Sequence, residues 1–190
     1  MKPQNKRDSV LSSALALFAE RGFDATTVPM IATSANVGAG TIYRYFENKE
    51  VLGNTLFQNY VVTFTKTIEA HYSSEQSIRE QFHHLFRAMM LFTNENEHAL
   101  YFIKKHSGAH FLNEESRDDF AQLLNLFRSF FETGKEQGVI RNLPSEALIA
   151  ILYGAFLELQ NLVRVGELVP DHELLSGVEE SLWDSVRHHS

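Results

Sequence analysis

Apolar residues recur three and four positions apart along almost the whole chain, and nowhere do they alternate with polar ones as a half-buried strand requires. The first stripe, Val10, Leu11, Ala14, Leu15 and Phe18, predicts a helix over about 6–21. Gly22 follows where a left-handed residue is wanted, and Phe23 is placed to fold back on Phe18 in a Schellman ending. Thr27 is placed to cap a second helix whose first turn holds Pro29, where a missing N–H is harmless, with Ile31 and Ala32 turned inward. Asn36 then occupies a tight turn that wants positive φ, which Asn tolerates better than other non-glycine residues. A third helix, about 39–46, buries Ile42 and Phe46 one turn apart and leaves Thr41, Arg44 and Tyr45 outward with Tyr43 at the flank. Asn48 caps a fourth that runs through Leu52, Leu56, Phe57, Tyr60, Phe64 and Ile68 to about His71, a rod of ~34 Å at 1.5 Å per residue.

Beyond Ser73-Ser74 the helical spacing returns with Ile78, Phe82, Leu85, Phe86, Met89 and Phe92, and further helices are expected over about 97–109, 114–137, 144–166 and 171–187. The breaks between them fall at His110 to Asn113, Gly138 to Leu143 and Gly166 to Pro170. The fold class is therefore all-α, without repeats or low-complexity linkers. The N-terminal three helices read as a domain over 1–50 and the rest as a helical domain over 51–190.

Two short helices joined by the Asn36-Val37-Gly38 turn make a helix-turn-helix, the arrangement that lays its second helix in the DNA major groove. Within it, Gly40-Thr41-Ile42-Tyr43-Arg44-Tyr45-Phe46 followed by Asn48-Lys49-Glu50 resembles the signature of the tetracycline-repressor-like (TetR) family of bacterial transcriptional regulators, a resemblance carried almost entirely by Val10 to Leu52. It implies that Thr41 contacts a base or phosphate, that Tyr43 and Lys49 hold the DNA backbone, that Tyr45 reaches the groove edge and that Thr27 presents a helix N-terminus to phosphate. Gly38, Ala39 and Gly40 are small where the first turn approaches the bases. Arg44 has two readings: a bidentate contact to a guanine edge, worth roughly 1–3 kcal/mol of discrimination, or a phosphate clamp. The chain departs from the commonest family pattern at Gly38, where a capping Ser or Thr is frequent, and at Ala39, where a long polar residue often sits. Lys2, Lys6 and Arg7 are placed to compensate through an N-terminal arm.

Charge changes the picture only when divided along the chain. The net −7 splits into six Lys/Arg against five Asp/Glu over residues 1–50, a balance of +1, and 11 against 19 over residues 51–190, a balance of −8. The acid lies in the segment that does not carry the helix-turn-helix, yet +1 is modest for a module whose affinity rests largely on phosphate contacts, so backbone N–H groups and hydroxyls must supply part of it. The absence of cysteine excludes disulfides, thiolate nucleophiles and zinc fingers and, with no secretory signal evident, points to the cytoplasm. The longest apolar run, Ala147 to Leu157, is short of the roughly 18–20 residues a bilayer demands and reads as a buried helix with no membrane role.

Twelve of the 15 Phe follow residue 50, which an ordinary aromatic core explains by itself. The resemblance adds an alternative, a small-molecule pocket whose expected lining is Phe64, Phe86, Met89, Tyr101, Phe102, Phe127, Phe131 and Tyr153, open to an apolar or aromatic effector. Small residues Ala147, Ala150, Gly154 and Ala155 permit close helix approach. With the last helix they leave more apolar surface than one internal contact uses, so a homodimer interface is expected at Leu148, Ile151, Leu152, Ala155, Leu159, Leu174, Val178 and Leu182, as the family pairs. His106 and His110, at i, i+4, lack a third ligand and the Glu of a metalloprotease helix, so neither a metal nor a cofactor is expected. No nucleophile motif or phosphate loop argues for an enzyme. The expected protein is a repressor on a palindromic operator in double-stranded DNA, released by an effector. The alternative is a nucleoid-organising DNA-binding protein of the same fold without one.

Overall fold

Every predicted helix is present in the computed structural model, which describes residues 6–70 and 72–189. Lys2, and His71 as the expected end of the fourth helix, lie outside the described residues. In chain order the elements are α1 (Lys6–Arg21), α2 (Val28–Ser34), α3 (Ala39–Tyr43), α4 (Lys49–Glu69), α5 (Ile78–Glu95), α6 (Ala99–His106), α7 (Glu114–Glu136), α8 (Ser145–Arg164) and α9 (His172–Val186). The one extended pairing among the described residues is an isolated antiparallel bridge between Ile140 and Arg187.

The chain divides into two compact units, Met1–Thr63 with Glu95–Ala121, and Phe64–Asn94 with Gln122–Ser190. In the first, α1 packs on α2, α3 and α6. Its core is Val10, Ala14, Phe18, Ile31, Ile42, Phe46, Leu52, Phe57 and Phe102, all at most 3% exposed. Gly53 on α4 is the close approach in this core: a Cβ there would stand 2.9 Å from both the Phe23 and Phe111 rings, which are themselves stacked at 3.8 Å. Asn54 beside it is buried and fully used, donating to Glu50 O and Phe111 O at 2.9 Å while its Oδ1 accepts from Asn113 N–H at 2.9 Å and Ser116 Oγ at 2.7 Å.

In the second unit Phe82, Met89, Phe92, Phe130, Phe131, Leu148, Leu152, Phe156 and Val186 are buried. The end of α9 is fastened to the α7–α8 loop by Arg141 N–H to Val186 O at 3.0 Å and His188 N–H to Val139 O at 2.7 Å. The expectation of a buried α8 needs correction. This helix is long and apolar enough to cross a membrane by length and composition, because its apolar character goes all round while only one stripe, Leu148, Leu152, Phe156 and Leu159, is buried. Ala150, Ile151, Gly154 and Ala155 face outward.

Candidate nucleic-acid interface

The site is built on three local stops and starts. α1 ends at Gly22, φ +91°, whose N–H bonds to Phe18 O at 3.0 Å, and Phe23 folds back on Phe18 with ring centroids 5.3 Å apart. The ending is the single-bond left-handed cap rather than the expected Schellman pair, because the Phe23 N–H goes instead to His106 Nε2 at 3.1 Å. α2 begins as expected: Thr27 is its N-cap, its hydroxyl accepting from Met30 N–H at 3.4 Å. α2 closes on Asn36 at φ 52°, with Asn36 N–H to Thr33 O at 3.2 Å and Val37 N–H to Ala32 O at 3.0 Å. That is the Schellman pair, found at the end of α2 instead of the end of α1 where it was expected.

Gly38 then caps α3 with extended backbone and no side-chain bond. α3 is shorter than the expected 39–46, for the N–H groups of Tyr45 and Phe46 both bond to Ile42 O at 2.9 Å and end it. Ile42 and Phe46 are buried, and Thr41 and Ala39 are half-buried. Tyr43 is 56% exposed and Tyr45 41%, with Arg44 exposed between them. Among the described residues a Cβ at Gly38 or Gly40 would meet nothing within 4 Å, so no packing between them requires small residues there. Arg7 lies over the Phe46 ring, 5.5 Å from its centroid. Asn48 caps α4, its Oδ1 accepting from Val51 N–H at 2.8 Å.

Lys49, expected from the resemblance to hold DNA, is turned inward. Its ammonium donates to Phe23 O at 2.9 Å and Thr26 O at 3.0 Å and lies 4.2 Å from the Phe23 ring centroid. Two of its three donors are thus occupied by the α1–α2 corner. Thr26, fully buried, tightens the same corner through Oγ1 to Gly22 O at 2.8 Å, and Lys105 reaches the last carbonyls of α1, Ala19 O at 3.2 Å and Glu20 O at 3.0 Å.

His106 completes that corner. Its Nδ1 stands 2.8 Å from Phe102 O and must donate, which leaves Nε2 to accept the Phe23 N–H. The ring is therefore neutral, and burial holds its pKa below the ordinary value by disfavouring the charged form. His110 is exposed, 3.1 Å from Asp24, and no group of three metal-ligating side chains occurs among the described residues. Lys105 and His106 were not legible in these roles because their partners at this corner lie more than 80 residues away, and only the i, i+4 His pair drew attention, for another reason; Thr26 bonds locally, but nothing in its spacing marks the corner it tightens.

The other expected residues divide sharply. Of the pocket set, Tyr101 and Phe102 fall in the first unit and the remaining six in the second. Phe102 packs on Phe18 and Phe57 with centroids 6.1 Å from each. Phe64 stacks on Phe92 at 4.5 Å and stands 6.3 Å from Phe127, and Phe86 meets Phe156 edge-on at 5.8 Å. These rings fill their own space. Of the interface set, Leu148, Leu152, Leu159 and Leu182 are buried within the chain, while Ile151 and Ala155 are exposed and Leu174 and Val178 half-exposed.

A capped helix, a left-handed Asn turn and a short helix offering Tyr43, Arg44 and Tyr45 to solvent define a helix-turn-helix DNA-binding regulator. Residues 10–54 match the tetR family of bacterial regulatory proteins and residues 57–188 match the tetracyclin repressor-like C-terminal domain, so the chain belongs to the TetR family of transcriptional regulators and is not an enzyme. It is 22% identical over 185 residues, 95% of each chain, to an uncharacterized helix-turn-helix-type transcriptional regulator of Haemophilus influenzae. Among solved structures it is similar to a TetR-family regulator from Vibrio parahaemolyticus, with TM-score 0.69 and 27% identity over 97% of this chain and 100% of that one. It is likewise similar to the fatty acid degradation regulator FadR from Bacillus halodurans, with TM-score 0.69 and 25% identity over the whole of both.

Proposed function

We propose that the protein is a cytoplasmic, ligand-responsive repressor that binds a palindromic operator as a homodimer and releases it when a small, largely apolar or aromatic effector occupies the helical domain of residues 51–190. The observation that carries the DNA reading is the outer face of α3. Tyr43, Arg44 and Tyr45 are exposed on a helix whose inner face is locked, and Gly38 and Gly40 leave room for a groove that nothing among the described residues fills. Thr27, Ala39, Gly40 and Thr41 supply hydroxyl and backbone donors to phosphate, while Lys49 acts chiefly by holding the corner that aims α2.

Pairing follows from the apolar surplus. Ile151, Gly154 and Ala155 on α8 and Leu174, Gly177 and Val178 on α9 form a surface of small and aliphatic residues, and neither glycine has a neighbour within 4 Å of its would-be Cβ. Family regulators usually act as dimers. An operator read by two heads has half-sites about 34–36 Å apart. The effector chemistry rests on the apolar residues of the second unit, Met89 with the aromatic Phe64, Phe86, Phe127, Phe131 and Tyr153, and on the similarity to a fatty acid degradation regulator. Because Phe64, Phe86, Phe127 and Phe131 each pack on a neighbouring ring, a ligand enters only by parting them. It therefore favours a different arrangement of the domain, and its differential affinity sets how far operator binding falls.

The test is selection from a random DNA pool with the purified protein. A single palindrome with half-sites one helical turn apart supports the reading; many weak, scattered sites would support the nucleoid-organising role instead. An effector found by direct binding that leaves operator affinity unchanged would remove the induction step.

A further inference from the structure

Residues 51–190 carry a net −8, yet the exposed stripe of α5 is basic. Arg79, His83 and Arg87 follow one another at single-turn spacing, and Leu91, 51% exposed, continues the row. Two clefts flank this ridge, one of about 780 Å³ toward Thr67 and Ala70 of α4 and one of about 610 Å³ toward α9. Both lie in the second unit, and His83, Arg87 and Leu91 border both. The α9-side groove brings together four apolar side chains, Phe86, Met90, Leu91 and Leu175, with Asn94, His172, Ser176 and Glu179 and with Arg87 and His83 at its edge.

The acid in this groove is already neutralised. Glu179, 7% exposed, accepts from Arg79 Nη1 at 2.6 Å through Oε1 and pairs with His83 Nδ1 at 2.8 Å through Oε2. Arg79 is further held beside the Trp183 and Phe82 rings, 5.6 and 5.9 Å from their centroids. Arg87, by contrast, is exposed and makes no hydrogen bond or ion pair among the described residues. The groove also stays clear of the proposed pairing surface. At 100° per residue, His172, Leu175, Ser176 and Glu179 project from one edge of α9 and Leu174 and Val178 from the other.

We propose that the α5–α9 groove is a binding site for a small amphipathic monocarboxylate, with its hydrocarbon body laid on Phe86, Met90, Leu91 and Leu175 and its carboxylate paired with the Arg87 guanidinium. An unpaired Arg offers a carboxylate a planar, two-pronged donor. The four apolar side chains beside it give a short hydrocarbon chain a surface that inorganic phosphate would not use, and the volume of about 610 Å³ lies within the range of small-molecule sites. This site borders the ring-packed core at Phe86 and does not depend on the regulator reading.

A ligand-observed NMR titration of the full chain without DNA tests it, using octanoate as probe and octylammonium and 1-octanol as charge controls. Octanoate is expected to bind saturably and more tightly than either control. Arg87→Gln should weaken it about tenfold, the effect of losing one charge-assisted pair, Arg87→Lys less, and Leu91→Ser should weaken octanoate and octanol alike. Both side chains are exposed, so the variants keep the fold. Equal octanoate binding by Arg87→Gln and the parent chain, equal binding of octylammonium, or no saturable binding at millimolar octanoate would each overturn the proposal.

Discussion

Lys49 and Arg44 stand five positions apart and use their charge in opposite ways. Lys49 folds its ammonium onto two carbonyls and an aromatic face, while Arg44 projects into solvent. Lys49→Met removes the donors and leaves the Phe23 and Thr26 carbonyls to find water, which should cost about 1–3 kcal/mol in urea unfolding. Unchanged stability would mean that the ammonium is free for DNA after all. The position of Lys49 was legible from the motif, but its direction was not, since that depends on how the α1–α2 corner closes 23 and 26 residues away. His106 carries a pH signature of the same kind. The folded chain holds the ring neutral below its ordinary value of 6.5, whereas the unfolded chain protonates near that value. Its contribution is therefore present above pH 6.5 and lost as pH falls through the folded value. Urea unfolding of the parent chain should weaken more steeply than that of His106→Gln between about pH 6.5 and pH 5. Parallel profiles would show that the Phe23 N–H contact contributes nothing titratable.

At the scale of elements, helix ends written in local chemistry were legible and those completed from a distance were not. Thr27, Asn36 and Asn48 each bond to a residue three positions away, so their roles follow from residue type and spacing. The ending of α1 differs from its prediction by one hydrogen bond, because a histidine 83 residues on takes the N–H that the local motif would use. The same limit hid Gly53. On an isolated helix Gly53→Ala should stabilise by roughly 0.5–1 kcal/mol, since glycine is a poor helix former. Here the new methyl meets two stacked, buried rings at 2.9 Å, so the variant should instead be destabilised by about 1–3 kcal/mol in urea unfolding. A gain in stability would show that the Phe23–Phe111 stack yields easily. On α8 the run of apolar residues and the surplus of apolar surface were legible, but which side stays uncovered was not: Leu148, Leu152, Phe156 and Leu159 are buried while Ala150, Ile151, Gly154 and Ala155 are exposed.

For the whole molecule, that uncovered side and the α3 face make one account, in which pairing spaces the heads and the heads read the groove. Ile151→Glu with Ala155→Glu places two carboxylates on the exposed side of α8 and touches none of its buried stripe. Sedimentation should show the parent chain as a dimer and the variant as a folded monomer with sharply weaker operator binding; a variant that remains dimeric would put the interface elsewhere. The all-α class and the reading motif were legible because both are periodic or local. An aromatic core was legible too, but which ring packs on which, and the basic ridge of α5, became visible only in three dimensions.

The most direct test compares Tyr43→Ala/Arg44→Ala with the parent chain in selection from a random DNA pool, with urea unfolding measured alongside. Both side chains are exposed, so stability should hold within about 0.5 kcal/mol. The parent chain should enrich a palindrome and the variant should not. Enrichment of the same palindrome by both would contradict the assignment of the α3 face as the part of the protein that reads DNA.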